Sequence, residues 1–453
     1  MSGSPRPDGS GTYTGAVRAG HASGKVVRCA LADLRVVESS VSVLFYFDRA
    51  LDEAPLREGL ARALAHVPAF AGRLRRRDDA LEIVCDDSGA TMTTADSGLD
   101  LAQAVAEAAV AETDLVERMD PSAAWSGGDP LLKVRLTRLS DGGTALGCTW
   151  HHAVGDIRSL MTLMRAWSAS VEGSTPPEAL VVEDREGYLD DVLPPTGSRQ
   201  PGYRLLPPAD VEQQWAAAYR ALQESRNLQI YFSHAEVSRL RRRLSDAAGR
   251  ELSLTNVLHA HLIDVLRRFH DEPHPDQLLM PVDVRHRLGL PSGVVGNLTG
   301  DMFVPCPPDR APEAVAADIR AALDDFVGSH LNLRALHDFL VEHRTRMKEC
   351  LQVGLELLPR QKYAVVNSWT GAGLYDISFG THRPVCVSQS SLPFPWMVLV
   401  TEGFDRTGYL CTVGVAADVA ERLASEDGRA ALHRFREPGD VLPDLAGAVA
   451  NLL

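Results

Sequence analysis

The sequence predicts an α/β protein built from two domains. The chain has 453 residues, more than a single hydrophobic core usually organises, so two domains are the natural expectation. Stretches with the alternating polarity of strands are interleaved with stretches of helical spacing in both halves of the chain. Between the halves, residues 176–208 contain seven prolines and no sustained periodicity. This stretch of roughly 30 residues is long for an internal loop, so we predict that it connects two domains.

These observations set the predicted domain boundaries. We predict a disordered lead over residues 1–24, an N-terminal domain over 25–175, a crossover linker over 176–210 and a C-terminal domain over 211–453. The lead is rich in glycine, serine and proline and has no apolar run, so it lacks the pattern of a signal peptide.

The N-terminal half alternates strands with amphipathic helices. Residues 41–47 form a dense apolar run that is typical of a central strand. A basic cluster over residues 73–77 is interpreted as a solvated loop. The expected strands lie within residues 26–47 and over 132–139 and 144–150, and the expected helices over 55–66, 99–116 and 157–172.

The C-terminal half repeats this arrangement. Ser253 is a suitable N-cap for a helix with apolar residues on one face, and His259 and His261 within that helix are interpreted as structural. The expected strands are 227–233, 278–284, 302–304, 363–368, 384–388, 397–401 and 409–415. The expected helices are 234–248, 254–269, 312–327, 331–347, 417–425 and 428–435.

The strongest candidate for chemistry lies between the strand over 144–150 and the helix that follows it. The sequence there reads His151-His152-Ala-Val-Gly155-Asp156, so a histidine pair ends the strand and an acid opens the helix. An imidazole accepts a proton near neutral pH, and a loop held between a strand and a helix orients it well. Gly155 lets the chain turn and leaves room for a close approach.

Several interpretations of this motif stay open from the residues alone. His152 can be a general base or a buried histidine bonded to the backbone, and Asp156 can orient the ring, cap the helix or pair with a distant arginine. Apart from Cys148, the stretch has no serine or cysteine nucleophile. Direct proton abstraction is therefore favoured over a covalent intermediate.

Composition narrows the class of protein. The net charge of −14 argues against general nucleic-acid binding, and no stretch approaches the roughly 20 apolar residues of a membrane-spanning helix. The seven cysteines are scattered without a C-x-x-C pair, which argues against a disulfide framework or a zinc site. The cysteine pattern suits a reducing cytoplasm and a protein without a metal. We also expect a monomer. Arginine supplies nearly all of the positive charge, a bias that suggests a GC-rich bacterial genome.

The run His151-His152-x-x-x-Asp156 resembles the active-site motif of the BAHD acyltransferases and of the wider condensation-domain and chloramphenicol-acetyltransferase-like superfamily. Further stretches resemble the family's motifs in the family's order: LREGLARALAHVPAFAGRLRR at 56–76, VDVRHRL at 282–288, Gly296-Asn297, NSW at 367–369 and the approach to Asp-Phe-Gly-Trp-Gly at 374–380. That last motif reads SFGTH over 378–382, without the acid and the tryptophan, which suggests a divergent branch. Asp376 is a candidate replacement for the missing acid.

The resemblance implies the fold and the reaction. It implies two chloramphenicol-acetyltransferase-like domains, each a mixed, mostly antiparallel sheet flanked by helices, with a channel between them. It implies acyl-CoA as co-substrate, no bound cofactor, and a hydroxyl or amine of a small natural product as acceptor, as in secondary metabolism or antibiotic biosynthesis. His152 is then the general base, and Asp156 is a structural partner of Arg285 or Arg287.

Other residues are expected in the substrate or oxyanion region. They are His151, Gly155, Asn297, Ser368, Trp369 and Thr381. Three alternative functions stay open on the same fold: acyl transfer from a carrier protein, a non-acylating reaction such as a cyclisation, and a binding protein without chemistry.

Overall fold

The computed structural model describes residues 13–195 and 223–445 with gaps at 78–79, 111–112, 126, 272, 345–362, 390–391, 393–394 and 441, and a few positions between 207 and 220. Its strands are β1 (Tyr13–Val17), β2 (Val26–Arg28), β3 (Ser40–Phe47), β4 (Arg73–Arg77), β5 (Ala80–Val84), β6 (Ala90–Asp96), β7 (Leu132–Arg138), β8 (Thr144–His151), β9 (Leu180–Val181), β10 (Ser225–Ser233), β11 (Gln277–Asp283), β12 (Val294–Val295), β13 (Thr299–Pro305), β14 (Tyr363–Ser368), β15 (Cys386–Gln389), β16 (Met397–Glu402) and β17 (Gly408–Ala416). Its α-helices are α1 (Glu53–His66), α2 (Leu101–Val110), α3 (Pro121–Trp125), α4 (Ile157–Glu172), α5 (Arg185–Val192), α6 (His234–Ala248), α7 (Leu254–Phe269), α8 (Pro312–Asp324), α9 (Asn332–Glu342), α10 (Ala417–Ala424) and α11 (Glu426–Leu432).

The first of two six-stranded sheets has the order β1-β6-β7-β8-β3-β15, and its neighbours are antiparallel except for β6 and β7. Every residue of β8 is buried, and helices α1 and α4 pack against each other beside this sheet. The apolar alternation of β7 against the fully buried β8 explains why these two strands lie at the centre of the sheet.

The second sheet has the order β10-β17-β16-β14-β11-β13. The pairs β16–β14 and β14–β11 are parallel, and the other pairs are antiparallel. Two mixed, mostly antiparallel sheets flanked by helices confirm the predicted fold class. Within the described residues, no helix is both long and apolar enough to cross a membrane.

The C-terminal half of the chain contributes one strand to the first sheet. β15 belongs to the C-terminal half of the chain, yet it pairs antiparallel with β3 and completes the first sheet. The predicted domain over 211–453 therefore does not coincide with one sheet. The physical reason is that β3 would otherwise be an unpaired edge, which a buried apolar strand cannot tolerate.

Some predicted irregular segments are ordered. β1 lies within the predicted lead and pairs with β6 along its whole length, because an edge strand needs backbone pairing more than apolar side chains. The predicted linker contains β9 and α5, which Asp184 caps by accepting a hydrogen bond from Gly187 N. The basic cluster predicted to be a loop is β4, where Arg75 pairs with Glu82 on the neighbouring strand. The expectations for residues 1–12, 196–206 and 345–347 lie outside the described residues.

Candidate active site

The loop between β8 and α4 carries the motif that the sequence singled out. His151 is the last residue of β8, and Asp156 is the N-cap of α4, where its side chain accepts a hydrogen bond from Ser159 N at 3.1 Å. Gly173 ends the same helix with φ of 71°. The loop is therefore held at one end by the sheet and at the other by a capped helix.

Asp156 forms a buried ion pair with an arginine from the other half of the chain. Arg285 donates to its two carboxylate oxygens at 2.8 and 3.1 Å, and the side chains are 3% and 5% exposed for Arg285 and Asp156. Leu298 N donates to the same carboxylate at 3.1 Å. Burial opposes the charged form of Asp156, but the Arg285 charge and these hydrogen bonds outweigh it and lower the pKa of the carboxyl.

Arg285 is the partner of Asp156, because Arg287 is engaged elsewhere. Arg285 also donates to Asp283 at 2.9 Å and to the carbonyls of Val294 and Gly296 at 3.0 Å. Arg287 instead donates to the carbonyl of Leu323 at 3.0 Å. Asp156 and Arg285 thus join the start of α4 to the segment around β12.

His152 is half-buried, and the side chain of Asn297 determines which of its ring nitrogens carries the proton. The Asn297 amide Nδ2 donates to the carbonyl of His152 and to Asp33 Oδ1, both at 2.9 Å. Both partners are acceptors, so the opposite amide atom facing His152 Nδ1 at 3.1 Å is the carbonyl oxygen. Nδ1 must therefore donate, and the lone pair of the neutral ring lies on Nε2.

Close packing around Gly155 holds the loop between β8 and α4 in place. A Cβ at this position would lie 2.3 Å from Ser159 Oγ and 3.2 Å from Gly296 N. Trp150 Nε1 donates to the Gly155 carbonyl at 2.8 Å. The room predicted at Gly155 is therefore occupied by the protein's own backbone and by the first turn of α4.

A second buried ion pair, missed from the sequence, lies behind this loop. Arg185 donates to the carbonyls of Ala153 and Val154 at 2.7 and 2.6 Å, and it lies 3.3 Å from Asp33. Asp33 and Arg185 are 2% and 5% exposed. The sequence offers one signal for Asp33, which is an acid within the otherwise apolar run CALADL. It offers no such signal for Arg185, because this residue falls in the predicted linker.

His151 lies inside the protein. It is fully buried, and its Nδ1 accepts a hydrogen bond from Ala153 N at 3.1 Å. Burial, with a smaller contribution from neighbouring His152, lowers the pKa of His151 to about 4, so the ring is neutral at physiological pH. In this arrangement His151 shapes the turn of the loop.

The remaining predicted site residues divide into two groups. Ser368 ends β14 and Trp369 follows it. Both lie near the first turn of α4, since Arg158 in that turn donates to the carbonyl of Gly371 at 2.6 Å. Ser368 Oγ is hydrogen-bonded to Thr370 Oγ1 at 2.7 Å. Thr381 follows a segment bonded to the last turn of α4, roughly 20 Å along the helix from its start.

The segment with the altered motif fastens the second half of the chain to α4. Phe379 packs on Trp167 and Phe47, with ring centroids 5.1 and 5.9 Å apart. Asp376, the candidate for the missing acid, is bonded to Arg406. The contacts of Phe379 lie toward the far end of α4 from His152.

An open cavity of about 440 Å³ also lies at that far end. Its lining comes from the C-terminal ends of α1 and α4 and includes Arg62, His66 and Ser170. Because α4 is roughly 24 Å long, this cavity is separate from the loop around His152.

Comparison with known proteins now defines the class. The model of the Transferase family matches residues 30–400, so the chain belongs to that family. Vinorine synthase from Rauvolfia serpentina is 26% identical over 372 residues, covering 78% of this chain and 80% of that protein. Stemmadenine O-acetyltransferase from Catharanthus roseus is 23% identical over 400 residues, covering 85% and 87%.

Solved structures agree in fold. The crystal structure of vinorine synthase matches with a TM-score of 0.65 at 21% identity, covering 90% of this chain and 95% of that one. F. graminearum TRI101, complexed with coenzyme A and T-2 mycotoxin, matches with a TM-score of 0.69 at 14% identity, covering 89% and 98%. The predicted BAHD acyltransferase family is confirmed; a bacterial branch stays a prediction.

Proposed function

We propose that the protein transfers an acyl group from acyl-CoA to a hydroxyl or amine of a small natural product, with His152 Nε2 as the general base. The observation that carries this proposal is the Asn297 amide, which leaves the basic lone pair on the nitrogen away from the backbone. Family membership and the coenzyme A bound to TRI101 support the donor.

The reaction is a direct transfer between two bound substrates. Nε2 removes the proton from the acceptor oxygen or nitrogen while that atom attacks the thioester carbonyl carbon. The tetrahedral intermediate then expels the thiolate by breaking the C–S bond, and the imidazolium returns its proton to sulfur. Acylated acceptor and CoA thiol leave, and His152 is again neutral.

The imidazolium that forms in this step is stabilised without any change of partner. Nδ1 already donates to Asn297 Oδ1 at 3.1 Å in the neutral ring, and it keeps donating when Nε2 is protonated. A donor–acceptor pair that is in place before the reaction needs no reorganisation as charge develops.

A covalent acyl-cysteine is not favoured. Cys148, the cysteine of the preceding strand, is fully buried, and burial raises the pKa of its thiol to about 12. The thiolate is the nucleophilic form, so this sulfur is a poor one at neutral pH. Both substrates must then be bound together, and their positioning supplies much of the rate.

The test measures thiol release from a panel of acyl-CoAs in the presence of hydroxylated and amine acceptors. Wild-type protein should release CoA only with an acceptor, and His152→Gln should lower kcat by about 10²- to 10⁴-fold, the usual contribution of a general base. His66→Gln, at the end of α1, is the matched histidine control and should leave kcat unchanged.

Two results would overturn the proposal. One is full turnover by His152→Gln, which removes the base. The other is turnover with an acyl carrier protein but with none of the acyl-CoAs, which assigns the donor to the carrier.

A further inference from the structure

The buried ion pair behind Asn297 has no part in the reaction just described. Asp33 Oδ1 accepts from Asn297 Nδ2 at 2.9 Å, and Asn297 in turn accepts from the His152 ring. We propose that Asp33 is a positioning residue: its carboxylate fixes the orientation of the Asn297 amide and thereby the tautomer of His152. This inference rests on the proposed role of His152 as the base.

The argument begins with the symmetry of an amide. Rotating the Asn297 side-chain amide by 180° exchanges its oxygen and nitrogen with almost no change in shape. In that orientation an N–H would face His152 Nδ1, which would then have to accept. The ring proton would move to Nε2, and His152 could no longer take a proton from an acceptor.

The surroundings of the amide decide against that orientation. The Asn297 nitrogen faces the carbonyl of His152 and the carboxylate of Asp33, neither of which can donate. Reversal would set the amide oxygen against two oxygens. The bond to Asp33 is charge-assisted and so is the stronger of the two, which makes Asp33 the main determinant of the orientation.

Asp33 is itself held so that one oxygen stays directed at Asn297. Its Oδ2 accepts from Ala30 N at 2.9 Å and lies 3.3 Å from Arg185 Nη1. Arg185 also binds the carbonyls of Ala153 and Val154, directly after His152. The ion pair therefore sets both the carboxylate and the loop that carries the base.

The test replaces Asp33 with asparagine, which can present either an oxygen or an N–H to Asn297. We expect folded protein, an unchanged KM for both substrates, and a kcat lowered in proportion to the fraction of His152 that leaves the tautomer with its proton on Nδ1, about twofold where the two tautomers are equally populated. The ¹⁵N spectrum of the His152 ring, recorded without substrate where the ring is neutral, should show one tautomer in wild type and two in Asp33→Asn. His152→Gln identifies the signals by their loss.

The control variants separate positioning from general stability. Asp283→Asn removes another carboxylate near the loop of His152. Asp283 pairs with Arg285 and Arg158 rather than with Asn297. This variant should keep a single His152 tautomer and wild-type kcat. Asp33→Glu keeps an acceptor and should restore most of the lost rate. If Asp33→Asn does not fold, the double variant Asp33→Asn/Arg185→Met, which leaves no unpaired buried charge, carries the same expectation.

The proposal is overturned if Asp33→Asn keeps a single His152 tautomer, whether kcat is unchanged or falls together with the melting temperature. The spectrum does not depend on turnover. Failure of the general-base role would appear as an active His152→Gln variant, whereas failure of this inference would appear in the spectrum.

Discussion

Replacing Asp156 by alanine should lower the free energy of unfolding more than replacing His152 by alanine does. Asp156→Ala removes a carboxylate that accepts from Arg285, Ser159 and Leu298, and it leaves the Arg285 charge 3% exposed. Asp283 still contacts Arg285, but its side chain is 26% exposed. Removing one partner of a buried ion pair usually costs about 3–5 kcal/mol.

This cost converts into a measurable shift in melting temperature. A domain of 150–250 residues loses roughly 2–4 °C per kcal/mol, so Asp156→Ala should melt roughly 6–20 °C below wild type and give less soluble protein. His152 is half-buried, and the loss of its hydrogen bond to Asn297 changes the free energy of unfolding by about 1 kcal/mol. His152→Ala should therefore remain folded while losing turnover.

The double variant Asp156→Ala/Arg285→Met is the internal control. It removes the unpaired buried charge that the single variant leaves, so it should be less destabilised than the sum of the two single variants. Strict additivity would contradict the ion-pair interpretation. Equal solubility and melting of Asp156→Ala and His152→Ala would contradict the separation of a structural role from a chemical one.

Two further perturbations follow from packing and burial. Gly155→Ala places a Cβ 2.3 Å from Ser159 Oγ and should destabilise by about 1–3 kcal/mol, whereas Gly98→Ala, with nothing within 4 Å, should not change the melting temperature; equal effects would refute the packing argument. The second prediction concerns acid. Burial is the largest cause that lowers the pKa values of three fully buried histidines: to about 4 for His151 and His259 and to about 3 for His261. They stay neutral in the folded chain and bind protons on unfolding below pH of about 6.5, so their contribution to stability should be complete above that pH. As the pH falls further, each group should lower the free energy of unfolding by up to about 1.4 kcal/mol per pH unit, down to pH of about 4 for His151 and His259 and of about 3 for His261. Melting temperatures at pH 8, 6 and 5 test this, and His261→Phe should make the decline shallower; a flat profile would refute it.

Elements with a strong local pattern could be predicted from the sequence. The bounds of α4 follow from its apolar spacing, from the N-cap Asp156 and from Gly173, and the helix observed over Ile157–Glu172 matches them. The His152 motif could be located because His151, His152 and Asp156 are close together in the chain. The Arg285–Asp156 pair could not be predicted without the structure, since family resemblance left both Arg285 and Arg287 as candidates.

Contacts between distant segments could not be predicted in this way. Asp33 and Asn297 are 264 positions apart, and neither has a periodicity that points to the other. β15 was expected as a strand, but the strand period does not say which sheet it joins, and its pairing with β3 depends on the fold of both halves. β1 and α5 were missed because polar or proline-rich composition was read as a lack of order, although backbone pairing and one buried Arg185 stabilise these segments.

The position of the candidate base explains why these long-range contacts concern function. His152 comes from the N-terminal half, while Asn297 and Arg285 come from the C-terminal half, so neither half alone fixes the tautomer of the His152 ring. The buried ion pair at Asp156 fixes the loop that carries His152 against the segment that carries Asn297. The altered motif at 378–382 lies at the far end of α4, so its sequence can diverge without moving these atoms. The contacts that join the two halves therefore also orient the ring of the candidate base.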